Sequence, residues 1–192
     1  MLTWILVFVV AAALVYVAVV FNRLVRTRQM ANEAWSGIDV QLKRRSDLVP
    51  NLVDVVKGYV AHERGVLEEV TQLRGQARAL PTGDVGRRAE TEGALSLALG
   101  KLIAVAEKYP DLKASANFLE LQQELARLES DIEMARRYYN GAVRNQNVLV
   151  QSFPSNLIAG LFGFGQREYF EVSGAADRVV PQVALTQGQT PR

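Results

Sequence analysis

The chain holds one histidine and no cysteine. The missing cysteine excludes thiol nucleophiles, disulfides and iron–sulfur ligation, and a single histidine excludes zinc sites built on paired imidazoles. His62 and Glu63 open an HExxH-like pattern, but Val66 stands where the second histidine is needed. His62 therefore reads as an ordinary residue of a polar face. Gly160, Gly163 and Gly165 resemble a phosphate loop only in glycine content: no Gly-Lys-Ser/Thr follows, and a helix rather than a strand precedes. Their expected role is structural, close backbone packing and positive φ. Glu68 and Glu69 are neighbours on a helix and point apart, so they form no acid–base dyad. Glu129 and Glu133 share a face, yet nothing reactive converges on them; with Asp131 they read as solvent-side charges. No catalytic, cofactor-binding or metal-ligating residue emerges, and the chain reads as a non-enzyme without cofactor.

The basic run Lys43-Arg44-Arg45 reads first as a solvated helix face and second as a partner surface. Aromatic residues are not interleaved with it and the net charge is only +2, so no nucleic-acid partner is expected. The asparagines are more informative. Asn51, Asn117, Asn140 and Asn147 lie at or beside apolar seams, where an amide sets helix register or lines a polar groove.

These residues must be positioned by helices. Met30, Ala34, Ile38 and Leu42 recur every four residues, and an apolar face continues through Leu48, Leu52, Val56, Val60, Leu67, Val70 and Leu73. Pro50 interrupts it with either a kink or a restart, Asp47 serving as N-cap in the second case. Pro81, Gly83 and Gly86 mark a polar loop, and a shorter helix over 89–107 follows. Tyr109-Pro110-Asp111 ends it, and Asp111 is placed to cap the longest helix, about 112–150. That helix carries Phe118, Leu121, Leu125, Leu128, Ile132, Ala135, Tyr139 and Ala142 at alternating three- and four-residue steps, the period of a bundle seam. Leu125 and Ile132 are thus expected in the core. Residues 153–172 are apolar, aromatic and glycine-rich, with a short alternating piece at Tyr169–Val172; from Pro181 to residue 192 the chain is polar and expected to be disordered.

The first segment has another character. Residues 1–22 carry no charged side chain, and Leu2 to Phe21 is almost wholly apolar. Twenty helical residues span roughly 30 Å, the thickness of a bilayer's hydrocarbon core. No basic residue precedes the run and no well-placed cleavage site follows, so an uncleaved anchor is expected rather than a signal peptide. Arg23, Arg26 and Arg28 follow at once. Positive charge resists translocation, which puts the N-terminus outside and the following domain in the cytoplasm.

The blocks DVQLKRR…DLVPNLV (39–53) and YPDLKASANFLELQQEL (109–125) resemble the LemA family of bacterial membrane-anchored proteins. FNRLV (21–25), VKGYVAHE (56–63), LSLALGKL (95–102), ARRYYNGAVRNQN (135–147) and FPSNLIAGLFGFGQREYFE (153–171) extend the likeness over nearly everything beyond the anchor. Phe21 and Gln146 depart from it, each standing where the family has Tyr. The resemblance implies one N-terminal membrane helix and an up-and-down bundle. It implies no established activity or cofactor, and places the protein in the bacterial inner membrane, with other membrane proteins, such as a protease, as partners.

The expected architecture is all-α: an anchor over 1–22, then an antiparallel up-and-down bundle of about four long helices over 23–180. The expected function is that of a single-pass, non-enzymatic scaffold or adaptor, binding itself or other envelope proteins. The longest helix overhangs its shorter neighbour, so 29–48 or 153–172 must cover its seam or another copy of the chain will, and a homo-oligomer is expected. Candidate interaction or register-setting residues are Asp39, Lys43, Arg44, Asn51, Asn117, Tyr139 and Asn140. Candidate membrane-interface residues are Arg23, Arg26, Arg28, Leu157, Ile158, Leu161, Phe162 and Phe164. They belong to an alternative reading in which 153–172 contacts or remodels the lipid surface.

Overall fold

Helix α1 runs unbroken from Leu2 to Lys57, 56 residues, or roughly 84 Å at 1.5 Å per residue. It has two parts. Up to Val19 its side chains are almost all exposed, and this apolar half is long enough to cross a membrane by length and composition. From Val20 onward a seam is buried: Leu24, Ala31, Ala34, Ile38, Leu42, Arg45, Val49, Leu52 and Val56. From Ala31 onward every step is of three or four residues, so one stripe faces a neighbour along the whole second half. Met30 lies outside the stripe and Ala31 takes its place.

Pro50 neither kinks the helix to a stop nor restarts it. A proline cannot donate to the carbonyl four residues back, here that of Ser46. The Nε of Arg74 donates to that carbonyl instead, at 2.6 Å. The lost backbone bond is thus replaced from the next helix, and the chain turns only after Lys57.

The computed structural model describes residues 1–60, 63–81 and 83–171. The remaining helices are α2 (Arg64–Ala79), α3 (Val85–Ala106), α4 (Pro110–Lys113), α5 (Ala116–Gln151) and α6 (Ser155–Leu161). No strand occurs among the described residues. The second half of α1 with α2, α3 and α5 makes the up-and-down bundle. Trp35 meets Tyr139 at 5.4 Å between rings, and Arg45 meets Glu129 at 2.6 Å, so α1 and α5 are antiparallel. Lys101 pairs with Glu69 at 2.9 Å between α3 and α2. Asp84 caps α3 by accepting from the Arg87 N–H at 3.2 Å.

The helix expected over 112–150 as the longest is α5, with 36 residues against the 56 of α1, and Asp111 does not cap it. Pro110 opens the single turn of α4, whose Leu112 is fully buried, and α5 starts afresh with Ser115 at its N-cap position. Along α5 the seam residues Phe118, Leu125, Leu128, Ile132, Tyr139 and Ala142 are buried. Among the described residues the core falls into three clusters along the molecule. Leu52, Leu99, Leu102 and Phe118 centre the far end, and Ile38, Leu42, Tyr139 and Phe170 the middle. Val20, Leu24, Ile158, Ala159 and Phe164 form the end beside the apolar half of α1. His62, Val172 and the tail 181–192 lie outside the described residues.

Candidate functional site

Two polar constructions and one apolar collar stand out. The first construction is a strap. After α6 the chain turns at Gly163, whose φ of +70° is a conformation that side-chain-bearing residues rarely adopt. Residues 164–171 then run back without regular structure along the groove between α1 and α5. Asn147 holds them with both ends of its amide: Nδ2 donates to the Arg167 carbonyl and Oδ1 accepts from the Arg167 N–H, each at 2.9 Å. Asn140 repeats the grip on Phe170, donating at 3.2 Å and accepting at 2.9 Å. Gln146 donates to the Gly165 carbonyl at 3.3 Å and the Tyr139 hydroxyl to that of Glu168 at 3.0 Å.

The spacing has a geometric reason. Seven helical residues rise about 10.5 Å, and three extended residues cover about 10 Å. Asparagines one heptad apart therefore fall opposite backbone units three residues apart, here 167 and 170. Phe164 and Phe170 are the buried apolar anchors at the two ends of the strap. Phe170 also closes an aromatic group with Trp35, at 6.0 Å between rings.

Burial pushes the Tyr139 phenol above its ordinary value of 10.0; Arg167 partly offsets the rise and Glu168 adds to it. The folded protein holds that proton more tightly than the unfolded chain. The group's stabilisation is complete below the unfolded value of 10.0 and is lost as pH climbs through the higher folded value. Tyr139→Phe is expected to cost about 1 kcal/mol at neutral pH through the lost bond to Glu168, and to abolish this group's alkaline loss. Denaturation midpoints at neutral pH and in strong alkali check both.

The second construction is a buried charge cluster. Arg45 is 1 % exposed. Its guanidinium donates to both the carboxylate and the backbone carbonyl of Glu92, to the Ser96 hydroxyl, and to Glu129 Oε1 at 2.6 Å. Ser96 also donates to Glu129. Glu92 is buried as well, its side chain 5 % exposed, whereas the Glu129 side chain keeps 37 % of its exposure. The reading of Glu129 as a plain solvent-side charge is thus corrected. One row of helix α1 supplies the cation and two other helices the carboxylates, so the cluster ties α1, α3 and α5 together. A cleft of about 430 Å³ beside it is bordered by Ser130, Arg136 and Phe170.

The collar is formed by α6 and its flanks against α1. Ile158, Ala159 and Phe164 face inward onto Val20 and Leu24. Phe21 meets the rings of Phe162 and Phe164 edge-on at 4.8 and 5.9 Å. The Arg28 guanidinium sits 5.0 Å over the Phe164 ring, a cation–π contact. Leu157, Leu161 and Phe162 remain exposed, with Phe153 and Val148 beside them.

The candidate residues thus separate. Tyr139 and Asn140 belong to the clamp, and Asp39 pairs with Arg88 at 2.7 Å. Lys43, Arg44, Asn51 and Asn117 are exposed and enter no cluster, so the last two set no seam register. Arg23, Arg26 and Arg28 ring α1 on the surface just past its apolar half. Of the apolar candidates Ile158 and Phe164 are buried, while Leu157, Leu161 and Phe162 are exposed. The reading of Arg45 as part of a solvated basic face is corrected by its burial, and sequence reasoning gave Glu92, Ser96 and Gln146 no role. The signal for Arg45 was its place between Leu42 and Val49 in the three-and-four seam. The overhang of α5 is covered by the chain's own α1 and Phe170, which removes the seam argument for a homo-oligomer.

Magnetosome protein MamQ 2 of Paramagnetospirillum magneticum is 25 % identical over 189 aligned residues, covering 85 % of this chain and 70 % of the relative. Magnetosome protein MamQ of Magnetospirillum gryphiswaldense is 24 % identical with the same coverage. Protein LemA of Metamycoplasma hominis is 29 % identical over 138 residues, covering 72 % of this chain and 63 % of the relative. The LemA family model matches residues 34–185, from the second half of α1 through the clamp and the collar, and the chain belongs to the LemA family.

Proposed function

We propose that the protein is a non-enzymatic scaffold of the bacterial inner membrane. The apolar half of α1 crosses the bilayer with the N-terminus outside, and the bundle stands in the cytoplasm. There it binds further copies of itself or other envelope proteins, a membrane protease among them, through its helical surfaces. The observation that carries this reading is the continuity of α1: one helix is exposed and apolar at its start and is the core of the bundle at its end. A docked partner is therefore held at fixed height and orientation over the membrane. The polar clusters have structural work in view. Arg45 is matched by two carboxylates and the clamp amides by backbone groups, an arrangement suited to rigidity rather than turnover. Self-association has its support in the exposed small residues Ala11, Ala12, Ala13 and Ala18 of the anchor, which permit close helix approach.

Orientation is tested with the cysteine-free chain. Gly83 is exposed and an added side chain there meets open space. Gly83→Cys is expected to resist a membrane-impermeant thiol reagent in intact cells and to react after the membrane is opened. Reaction in intact cells would reverse the proposed topology. Lysine crosslinking in native membranes should then yield a ladder of the chain or a defined adduct with an envelope protein; a chain that stays uncrosslinked overturns the scaffold.

A further inference from the structure

We propose that the outward face of α6 and its flanks, Phe153, Leu157, Leu161 and Phe162, is inserted into the same bilayer leaflet that α1 leaves, as a second lipid contact. This rests on the reading that α1 spans the membrane.

Three observations carry it. The first is height. Trp35 faces Tyr139 and Arg45 faces Glu129, so this antiparallel register brings the end of α5, at Gln151, level with about Arg23 on α1. The chain then continues toward the apolar half, and the inner face of α6 packs on Val17, Val20, Phe21 and Leu24. About twenty helical residues fill a hydrocarbon core of roughly 30 Å, so a core beginning near Leu2 ends near Phe21. The short helix therefore lies at the margin of the hydrocarbon.

The second observation is two-sidedness. Ile158 and Ala159 are buried against α1, whereas Leu161 is 79 % exposed, Phe153 80 % and Leu157 65 %. A helix whose sole task was to seal the bundle would turn its large apolar side chains inward. This one buries Ser155, Ile158 and Ala159 and leaves Leu157 and Leu161 outward, with the exposed Phe153 before it and the half-exposed Phe162 after it. The third is continuity. The outward patch adjoins the exposed apolar surface of α1, so one lipid phase covers both without a break. Arg23, Arg26 and Arg28 stand on the bundle side of this level, where anionic headgroups would meet them. Lipid thus matches the patch in apolarity below and in charge above. The consequence is mechanical: a second contact beside α1 limits the bundle's tilt and rotation about its anchor.

The test uses the full chain in vesicles of phosphatidylcholine and phosphatidylglycerol. Single cysteines at Leu161→Cys, Val10→Cys and Glu133→Cys carry an environment-sensitive fluorophore. All three positions are exposed, so labelling leaves the core intact. Lipids spin-labelled near the headgroup or at the bilayer centre act as quenchers. The label at 161 is expected to lose fluorescence mainly to the shallow quencher and the label at 10 mainly to the deep one. The label at 133 should lose none to either. If the label at 10 is quenched and that at 161 is not, the anchor stands and α6 insertion is overturned. If the label at 161 escapes both lipid quenchers and aqueous iodide, another protein surface, such as a second copy, covers it, and the proposal fails. If the label at 10 is not quenched, the spanning reading fails and α6 insertion with it.

Discussion

Replacing Arg45 by methionine is expected to cost about 3–5 kcal/mol of folding stability, because it strands the buried Glu92 carboxylate without its cation. The side chain of Glu92 is only 5 % exposed, so without Arg45 its carboxylate lacks both a cation and most of its hydration. Methionine fills much of the volume, so the loss reports charge rather than a cavity. A compensated variant separates the two: Arg45→Met with Glu92→Leu and Glu129→Gln removes the stranded charges together. Buried ion pairs replaced whole by apolar groups are often neutral or stabilising, so the triple variant should regain most of the loss. Thermal and urea unfolding of the full chain in detergent, followed by circular dichroism, gives both numbers. If Arg45→Met melts with the parent, the cluster is not a tie between the helices.

The joint change Asn140→Ala with Asn147→Ala should release the strap. Four hydrogen bonds vanish, and the N–H and C=O of Arg167 and Phe170 lose their partners in a partly buried groove. Each buried backbone group left unpaired costs about 1–3 kcal/mol. The strap answers by opening to water, which limits the global loss to the anchoring of Phe164 and Phe170. Amide exchange should therefore rise at residues 165–171 by orders of magnitude while α3 and the far core keep their protection. Each single variant should fall between parent and double. Unchanged exchange over 165–171 in the double variant would show that the aromatic anchors alone hold the strap.

How much of this was legible depends on the range of the interaction. The α5 seam from Phe118 to Ala142 could be read because a stripe at three- and four-residue steps needs only to know that some neighbour exists. Arg45 occupies the same kind of position, but periodicity ranks side chains by face and not by partner. Its carboxylates lie 47 and 84 residues further along the chain. The asparagines divide for a related reason. Asn140 and Asn147 meet backbone 30 and 20 residues away, whereas Asn117, next to the seam residue Phe118, is turned about 100° from it and faces water.

The sequence alone determined the apolar start, the all-helical bundle with its breaks at 80–88 and 109–111, and the family, since these follow from local hydropathy, period and pattern. Tertiary structure decided that α1 passes through Pro50, because only the docking of α2 brings Arg74 to the orphaned Ser46 carbonyl. It decided that the glycine-rich 153–171 segment is split into a collar and a strap, because which faces are buried depends on where α5 ends beside α1. Composition marks that segment as apolar; only its neighbours divide it into a face against protein and a face left for another phase.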